Sequence, residues 1–327
     1  MLELQNDDFR SENIAGEQVN ADCFSERVAL LLAGGDGVRL RELTRAIAGM
    51  PIPKQYCRLF RNSSLLEVAL ERARLFASSE NVYTIVNRNH IQFAQEQLGS
   101  IPKANVFVQP LNRDTGPGMI FALLNLERIY EDPIVAVFPT DHYVDDAQAF
   151  NAQVLRAVDA VAHMPDKIAL LGVVPDRAET AYGYILPAGP LAEYESIYNV
   201  DAFAEKPDLK AAHKIMSRGA VWNTFVMVFR LSRMMELLGR YMQREFEMMS
   251  VLRATPEKSD VLYQEICSWN LSTRVLSQIP QHLILIKVDD VHWSDWGTCE
   301  SIERSFRALN IPWHWNVRQP GSSPVPT

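Results

Sequence analysis

Residues 28–44 read Val-Ala-Leu-Leu-Leu-Ala-Gly-Gly-Asp-Gly-Val-Arg-Leu-Arg-Glu-Leu-Thr, and this stretch decides the fold. Val28 to Leu32 form an unbroken apolar run that ends at a glycine cluster, the pattern of a strand buried on both faces. Gly34, Gly35 and Gly37 let the backbone take positive φ and bring its amides close to a ligand. Successive N–H groups in such a loop make a nest for anions. Arg39 adds a fork-shaped cation suited to phosphate oxygens. A buried strand running into this loop reads as a phosphate cradle; the plainer alternative is a tight strand-to-helix turn. A Walker loop is excluded, because no Lys-Ser or Lys-Thr follows, and Leu40 stands where a dinucleotide fingerprint needs its third glycine.

The 327 residues are 47% hydrophobic and 22% charged, enough for one large α/β domain or two closely joined lobes. A formal charge of −8 disfavours a general nucleic-acid binder, so any anion site must be local. Cys23, Cys57, Cys267 and Cys299 are scattered without a Cys-x-x-Cys pair, which points to reduced thiols in a cytoplasmic protein. Residues 1–25 read as a polar, mobile leader without a signal peptide, and 316–327 as a frayed tail. No apolar run approaches the roughly 20 residues of a membrane span.

Downstream, strands and helices alternate. Ser64 with Glu67 caps a helix over 65–77, Val82 to Val86 is a strand, 89–98 a short helix and Val106 to Val108 a strand. The polar loop Gln109 to Gly118 at this strand's carboxyl end reads as a ligand-binding loop or as a helix entry in which Thr115 caps, and a helix over 119–130 follows. Ile134 to Phe138 is a fourth buried strand ending in Pro-Thr-Asp-His. A carboxylate there, Asp141, can hold Mg²⁺ or serve only as a turn residue; His142 supports the site or packs. Lys54, in an irregular Pro-rich segment, reads as a mobile point charge for a phosphate or as a solvated surface lysine. A helix over 147–163 and a strand over 168–173 come next, then strands over 182–185, 197–204 and 221–229 with fewer helices between. The Met-rich stretch 231–253 reads as a core-filling helix, and 283–288 as a last strand before Asp295, itself a metal ligand or a cap for a helix over 298–309.

The opening pattern, with Pro53-Lys54-Gln55 after it, resembles the sugar-1-phosphate nucleotidyltransferases, whose pattern is Leu-Ala-Gly-Gly-x-Gly-x-Arg-Leu-x-Pro-Leu-Thr and then Pro-Lys. Asn112-Arg113-Asp114-Thr115 and Pro139-Thr140-Asp141-His142 are similar to segments of the mannose-1-phosphate guanylyltransferases within that family. So are Tyr182-Gly183-Tyr184-Ile185, Phe203-Ala204-Glu205-Lys206-Pro207, Trp222-Asn223-Thr224 and Trp293-Ser294-Asp295. Four departures stand out: Glu42 for the usual proline, Gly116 for alanine, Phe225 for glycine, and 270–277 without the usual Ile-Asp pair.

The resemblance covers about residues 27–310 and implies a Rossmann-like, GT-A-type α/β fold: a mixed, mostly parallel sheet flanked by helices. Its nucleotide-binding half would span 26–175 and a smaller sugar-binding half 176–315. It implies transfer of a nucleotidyl group from an NTP, best matched to GTP, onto a sugar 1-phosphate, best matched to mannose 1-phosphate, giving an NDP-sugar and pyrophosphate. Ala33, Gly34, Gly35, Gly37, Gln109, Asn112, Arg113 and Thr115 would hold the nucleotide; Gly183, Glu205, Lys206 and Asn223 the sugar phosphate. Arg39, Lys54 and Lys206 would neutralise phosphates, with Asp141 and Asp295 on Mg²⁺. Alternatives are a uridylyl- or thymidylyltransferase, or a non-catalytic nucleotide-sugar sensor. No nucleic acid or membrane partner is implied, and a homodimer is left open.

Overall fold

The computed structural model describes residues 26–312 apart from 61, 192, 193, 195, 255–258 and 290. The leader and tail expected from the sequence, and Cys23, lie outside the described residues.

The 28–32 run forms β1 (Arg27–Ala33), and its residues alternate between two cores: Ala29 and Leu31 face one, Val28 and Leu30 the other. Burial on both faces is why no polar residue interrupts it. After the glycine loop come α1 (Arg41–Ala48), which the sequence reading did not single out, and α2 (Leu65–Phe76) with the Ser64/Glu67 capping box in place. β2 (Val82–Asn87), α3 (Ile91–Gln97) and β3 (Val106–Gln109) follow as expected. α4 (Thr115–Leu126) starts four residues before the expected 119. Its cap is Asp114 at φ 69°, and Thr115 is the first helical residue, not the cap.

β4 (Ile134–Pro139) leads to the short β5 (Tyr143–Val144), then α5 (Ala147–His163) and β6 (Ile168–Val173). β7 (Gly183–Pro190), β8 (Ile197–Glu205), α6 (Leu209–Met216) and β9 (Val221–Arg230) come next. The Met-rich helix is broken at Met242 into α7 (Leu231–Tyr241) and α8 (Gln243–Ala254), with Met234, Met235, Met242 and Met249 buried. α9 (Ser259–Gln264), α10 (Leu271–Arg274), β10 (Leu283–Val288), β11 (Trp293–Ser294) and α11 (Cys299–Ala308) complete the described chain.

Nine of these strands make one sheet in the order β3-β2-β1-β4-β9-β6-β10-β8-β7, while β5 and β11 pair separately. β8 and β9 run against the other strands of the sheet, which share one direction. Helices cover both faces: α2 and α5 lie over one core, α4, α7 and α10 over the other. β7 also reaches back to β9, so β9, β6, β10, β8 and β7 close a ring. One half of β9 therefore pairs with β4 and the other with β7, so β9 joins the run β3-β2-β1-β4 to this ring.

Candidate active site

A cleft of about 520 Å³ opens where β1, β3 and β4 end and where β7, β8 and β9 meet. Gly34, Gly35 and Arg39 form one wall. Glycine is required at 37, where φ is 56° and a Cβ would lie 2.7 Å from the Lys54 backbone nitrogen; at 34 a Cβ would come 2.5 Å from Gln109 Nε2 and push that side chain aside. The carbonyls of this loop are held from behind. Gln55 Nε2 donates to Ala33 O at 3.1 Å and Gly35 O at 2.7 Å, and the Tyr56 hydroxyl donates to Ala33 O at 2.7 Å. Ala33 and Gly37 thus shape the loop, while Gly34 and Gly35 line the cleft.

Gln109, Asn112 and Thr115 line the adjoining wall. Asn112 Nδ2 donates to Asp36 Oδ2 at 2.9 Å, and Asp36 also pairs with His90 Nε2 at 3.3 Å, so the two loops brace each other. Arg113 is a correction. Its guanidinium turns away from the cleft to donate to Gln264 O at 2.8 Å, because the following residues are zipped to a strap before α10. In that zipper Trp269 N donates to Arg113 O, Gly116 N to Trp269 O, and Leu271 N to Thr115 Oγ1. The Trp269 ring lies so close to Gly116 that any Cβ would enter it, which accounts for glycine at that position. The strap also brings Ser268, Asn270 and Ser272 to the cleft. Sequence reading had only noted that 270–277 departs from the family pattern.

Asp141 follows β4 and Asp295 follows β11, and the fold brings both to the cleft as expected. Lys54 is a second correction. It is only 5% exposed, does not line the cleft, and is not mobile. Its ammonium donates to Asp295 O and, at 3.2 Å, to Trp296 O, and pairs with Asp141 Oδ2 at 3.3 Å. Three donors meet three acceptors, so the lysine ties the two aspartate segments together. Burial alone would raise the Asp141 carboxyl, but Lys54 and His142 hold it below the usual carboxylate range. Burial lowers the His142 ring, whose Nδ1 lies 3.1 Å from Thr224 O.

Asp295 accepts from the Tyr182 hydroxyl at 2.9 Å and from Gly297 N at 2.8 Å, and pairs with Arg39 at 3.4 Å. Thr298, not Asp295, caps α11, which frees the aspartate for the cleft. Glu42 is exposed on α1 and does not line the cleft.

Gly183, Glu205, Lys206 and Asn223 line the far wall. Burial raises the Glu205 carboxyl, against the pull of Lys206 at 3.4 Å. A Cβ at Gly183 would come 2.8 Å from Glu205 Oε2. Phe225 and Trp293 complete this wall. Among the described residues, Asp114, Lys206, Phe225 and Trp296 take positive φ in or beside the cleft, and only three other non-glycine residues do so elsewhere. Backbone strain of this kind collects at functional sites.

The family model described as nucleotidyl transferase matches residues 28–310. The alginate biosynthesis protein AlgA of Pseudomonas putida is 31% identical over 217 residues, 65% of this chain and 43% of that protein. The xanthan biosynthesis protein XanB of Xanthomonas campestris is 34% identical over 225 residues, 67% of this chain and 45% of that one. A mannose-1-phosphate guanylyltransferase of Klebsiella pneumoniae is 30% identical over 216 residues, 65% and 44%. The aligned region is thus under half the length of these relatives. The crystal structure of a mannose-1-phosphate geranyltransferase from Thermus thermophilus superposes with a TM-score of 0.75 at 28% identity, covering 86% of this chain and 79% of that one. UDP-glucose pyrophosphorylase complexed with UDP-glucose, at 14% identity and a TM-score of 0.53, shares the fold.

Proposed function

The chain belongs to the nucleotidyl transferase family, and from that premise we propose that it joins an NTP and a sugar 1-phosphate into an NDP-sugar with release of pyrophosphate. GTP and mannose 1-phosphate are the pair we assign, on the similarity to the Klebsiella pneumoniae guanylyltransferase. The observation that carries the reading is the convergence of Asp141 and Asp295, from distant parts of the chain, on one buried lysine beside a glycine loop.

In the step, an oxygen of the sugar phosphate forms a bond to the α-phosphorus as the bond to the pyrophosphate oxygen breaks. The acceptor phosphate is already ionised at neutral pH, so no general base is needed. Two anions must approach each other, which makes alignment and charge neutralisation the main tasks. The amides of Gly34 and Gly35, with Gln109, Asn112 and Thr115, would hold the nucleotide. Arg39, exposed at the cleft wall, would take the triphosphate and the departing pyrophosphate. Lys206, 59% exposed at its side chain, can swing toward the incoming phosphate. Glu205 and Asn223 would meet sugar hydroxyls.

Among the described residues no three metal-ligating side chains cluster, but a magnesium ion of this kind needs only one or two carboxylates and completes its shell with substrate oxygens. Asp141 and Asp295 fit that requirement, and when bound the ion would supply positive charge between the reacting phosphates. Lys54 would keep the two carboxylates in register rather than touch a phosphate itself.

We place the protein in the cytoplasm, where the free thiols of Cys57, Cys267 and Cys299 stay reduced. Sedimentation of the purified chain distinguishes a monomer from the homodimer. The function is tested by a pyrophosphate-release screen of GTP, ATP, CTP, UTP and dTTP against several hexose 1-phosphates with Mg²⁺. Release with GTP and mannose 1-phosphate is expected. Binding of a nucleotide sugar without release from any pair would sink the enzyme reading.

A further inference from the structure

A bulge interrupts β9 opposite β6: Leu170 faces Met227 but Gly172 faces Asn223, so residues 224–226 stand against Leu171 alone. The bulge is pinned on every side. Thr224 Oγ1 donates to Leu171 O at 2.8 Å and accepts from Val226 N at 3.2 Å, while Phe225 N donates to Asn223 Oδ1 at 3.1 Å. At its apex Phe225 has φ 59°, the left-handed region that favours glycine. Bulges beside active sites re-aim side chains, and this one sends Phe225 into the cleft. The ring sits partly buried on the face of the sheet that carries Ile185, Phe203 and Val221. Gly183, Glu205 and Asn223 alternate onto that same face, so Phe225 adjoins the polar groups of the acceptor wall.

We propose that Phe225 determines which sugar 1-phosphate is accepted: its ring is an apolar floor that takes a carbon–hydrogen face of the sugar and rejects acceptors with a polar or bulky substituent there. The inference rests on the acceptor half assigned above. The chemistry of the wall is unequal. The Phe225 amide occupies Asn223 Oδ1, so Asn223 offers the cleft its amide hydrogens, and Glu205 offers carboxylate oxygens. Neighbouring sugar hydroxyls are matched by that donor and acceptor. The ring matches none: a polar group pressed on it loses water without gaining a partner, whereas C–H surface is buried favourably. One unmatched hydroxyl is worth about tenfold in selectivity. A residue strained at its backbone and kept in a binding cleft is the pattern expected of a functional side chain.

The test compares wild type, Phe225→Gly and Phe225→Leu of the full chain, with mannose 1-phosphate, glucose 1-phosphate and N-acetylglucosamine 1-phosphate as acceptors. Each is read by kcat/KM and by calorimetric binding of the sugar phosphate. Phe225→Gly suits the backbone conformation and Phe225→Leu keeps the apolar packing; a thermal melt checks that both are folded. In Phe225→Gly the ratio of best to worst acceptor is expected to fall about tenfold with the KM for NTP unchanged, while Phe225→Leu keeps most of the ratio. An unchanged ratio in folded Phe225→Gly, or an equal change in the KM for NTP, overturns the proposal. If wild type releases no pyrophosphate, the binding ratio decides: a ratio that collapses in Phe225→Gly supports the role of Phe225 although the transferase reading has failed. No sugar-phosphate binding at all overturns both.

Discussion

Replacing Lys54 by methionine removes one ammonium and keeps a similar volume. Two backbone carbonyls, those of Asp295 and Trp296, then lose a buried donor. Each costs about 1–3 kcal/mol when left unpaired. The Asp141 carboxylate loses its partner too, but its side chain is 39% exposed and water can replace much of that pairing, so this adds at most about 1 kcal/mol. The sum is about 2–7 kcal/mol, a large share of the roughly 5–15 kcal/mol that holds a domain folded. Equilibrium unfolding in urea measures it as a lower midpoint. The same variant should raise the KM for NTP and for sugar phosphate together, because both aspartate segments shift. Stability within about 0.5 kcal/mol of wild type, with the KM for NTP alone increased, would refute the tether and return Lys54 to the triphosphate.

Asp141→Asn and Asp295→Asn should each cut turnover by at least about a hundredfold at saturating Mg²⁺ while circular dichroism stays native, and near-normal turnover removes that residue from the mechanism. Glu205 has a raised pKa, so its carboxylate form is lost on acidification sooner than that of an ordinary glutamate; the KM for sugar phosphate should climb as pH falls through that raised value. In Glu205→Gln the climb should vanish, and an unchanged acidic limb in that variant assigns it to another group. Gly116→Ala should displace the Trp269 strap and cost about 1–3 kcal/mol, read by urea unfolding and by tryptophan emission.

The first part of the fold, through α5, was legible because its elements are local. The 28–32 run, the Ser64/Glu67 box and the helix over 147–163 each carry their own signal, and each is found where expected. The start of α4 was misplaced because two candidate caps, Asp114 and Thr115, stand side by side, and positive φ at Asp114 has no sequence signature. The site was legible as a set of motifs, but not the direction each side chain takes. Arg113 and Lys54 are cations in phosphate-like contexts, and nothing local tells that Gln264 O or the carbonyls at 295 and 296 will claim them. The strap residues Ser268, Asn270 and Ser272 were missed because their approach depends on Trp269 docking on Gly116, a contact between residues about 150 apart. Gly116 itself was the available signal: a glycine inside a helix start asks what presses on it.

The position of β9 has a consequence for how the chain reaches its native state. β4 and β6 are made early, and β4 pairs with β1, yet the facing edges of β4 and β6 stay bare until residues 221–230 arrive. Until then the sheet has an open seam in its middle: two fully apolar strands with bare edges, the most adhesive surface a folding chain can expose. Closing the seam joins β6 to a strand that follows only after β7, β8 and α6, so the rate-limiting event should be non-local and slow. A ribosome releasing this chain holds an unfinished sheet for more than forty residues after β6, and the seam is where chaperone capture or intermolecular pairing competes with folding.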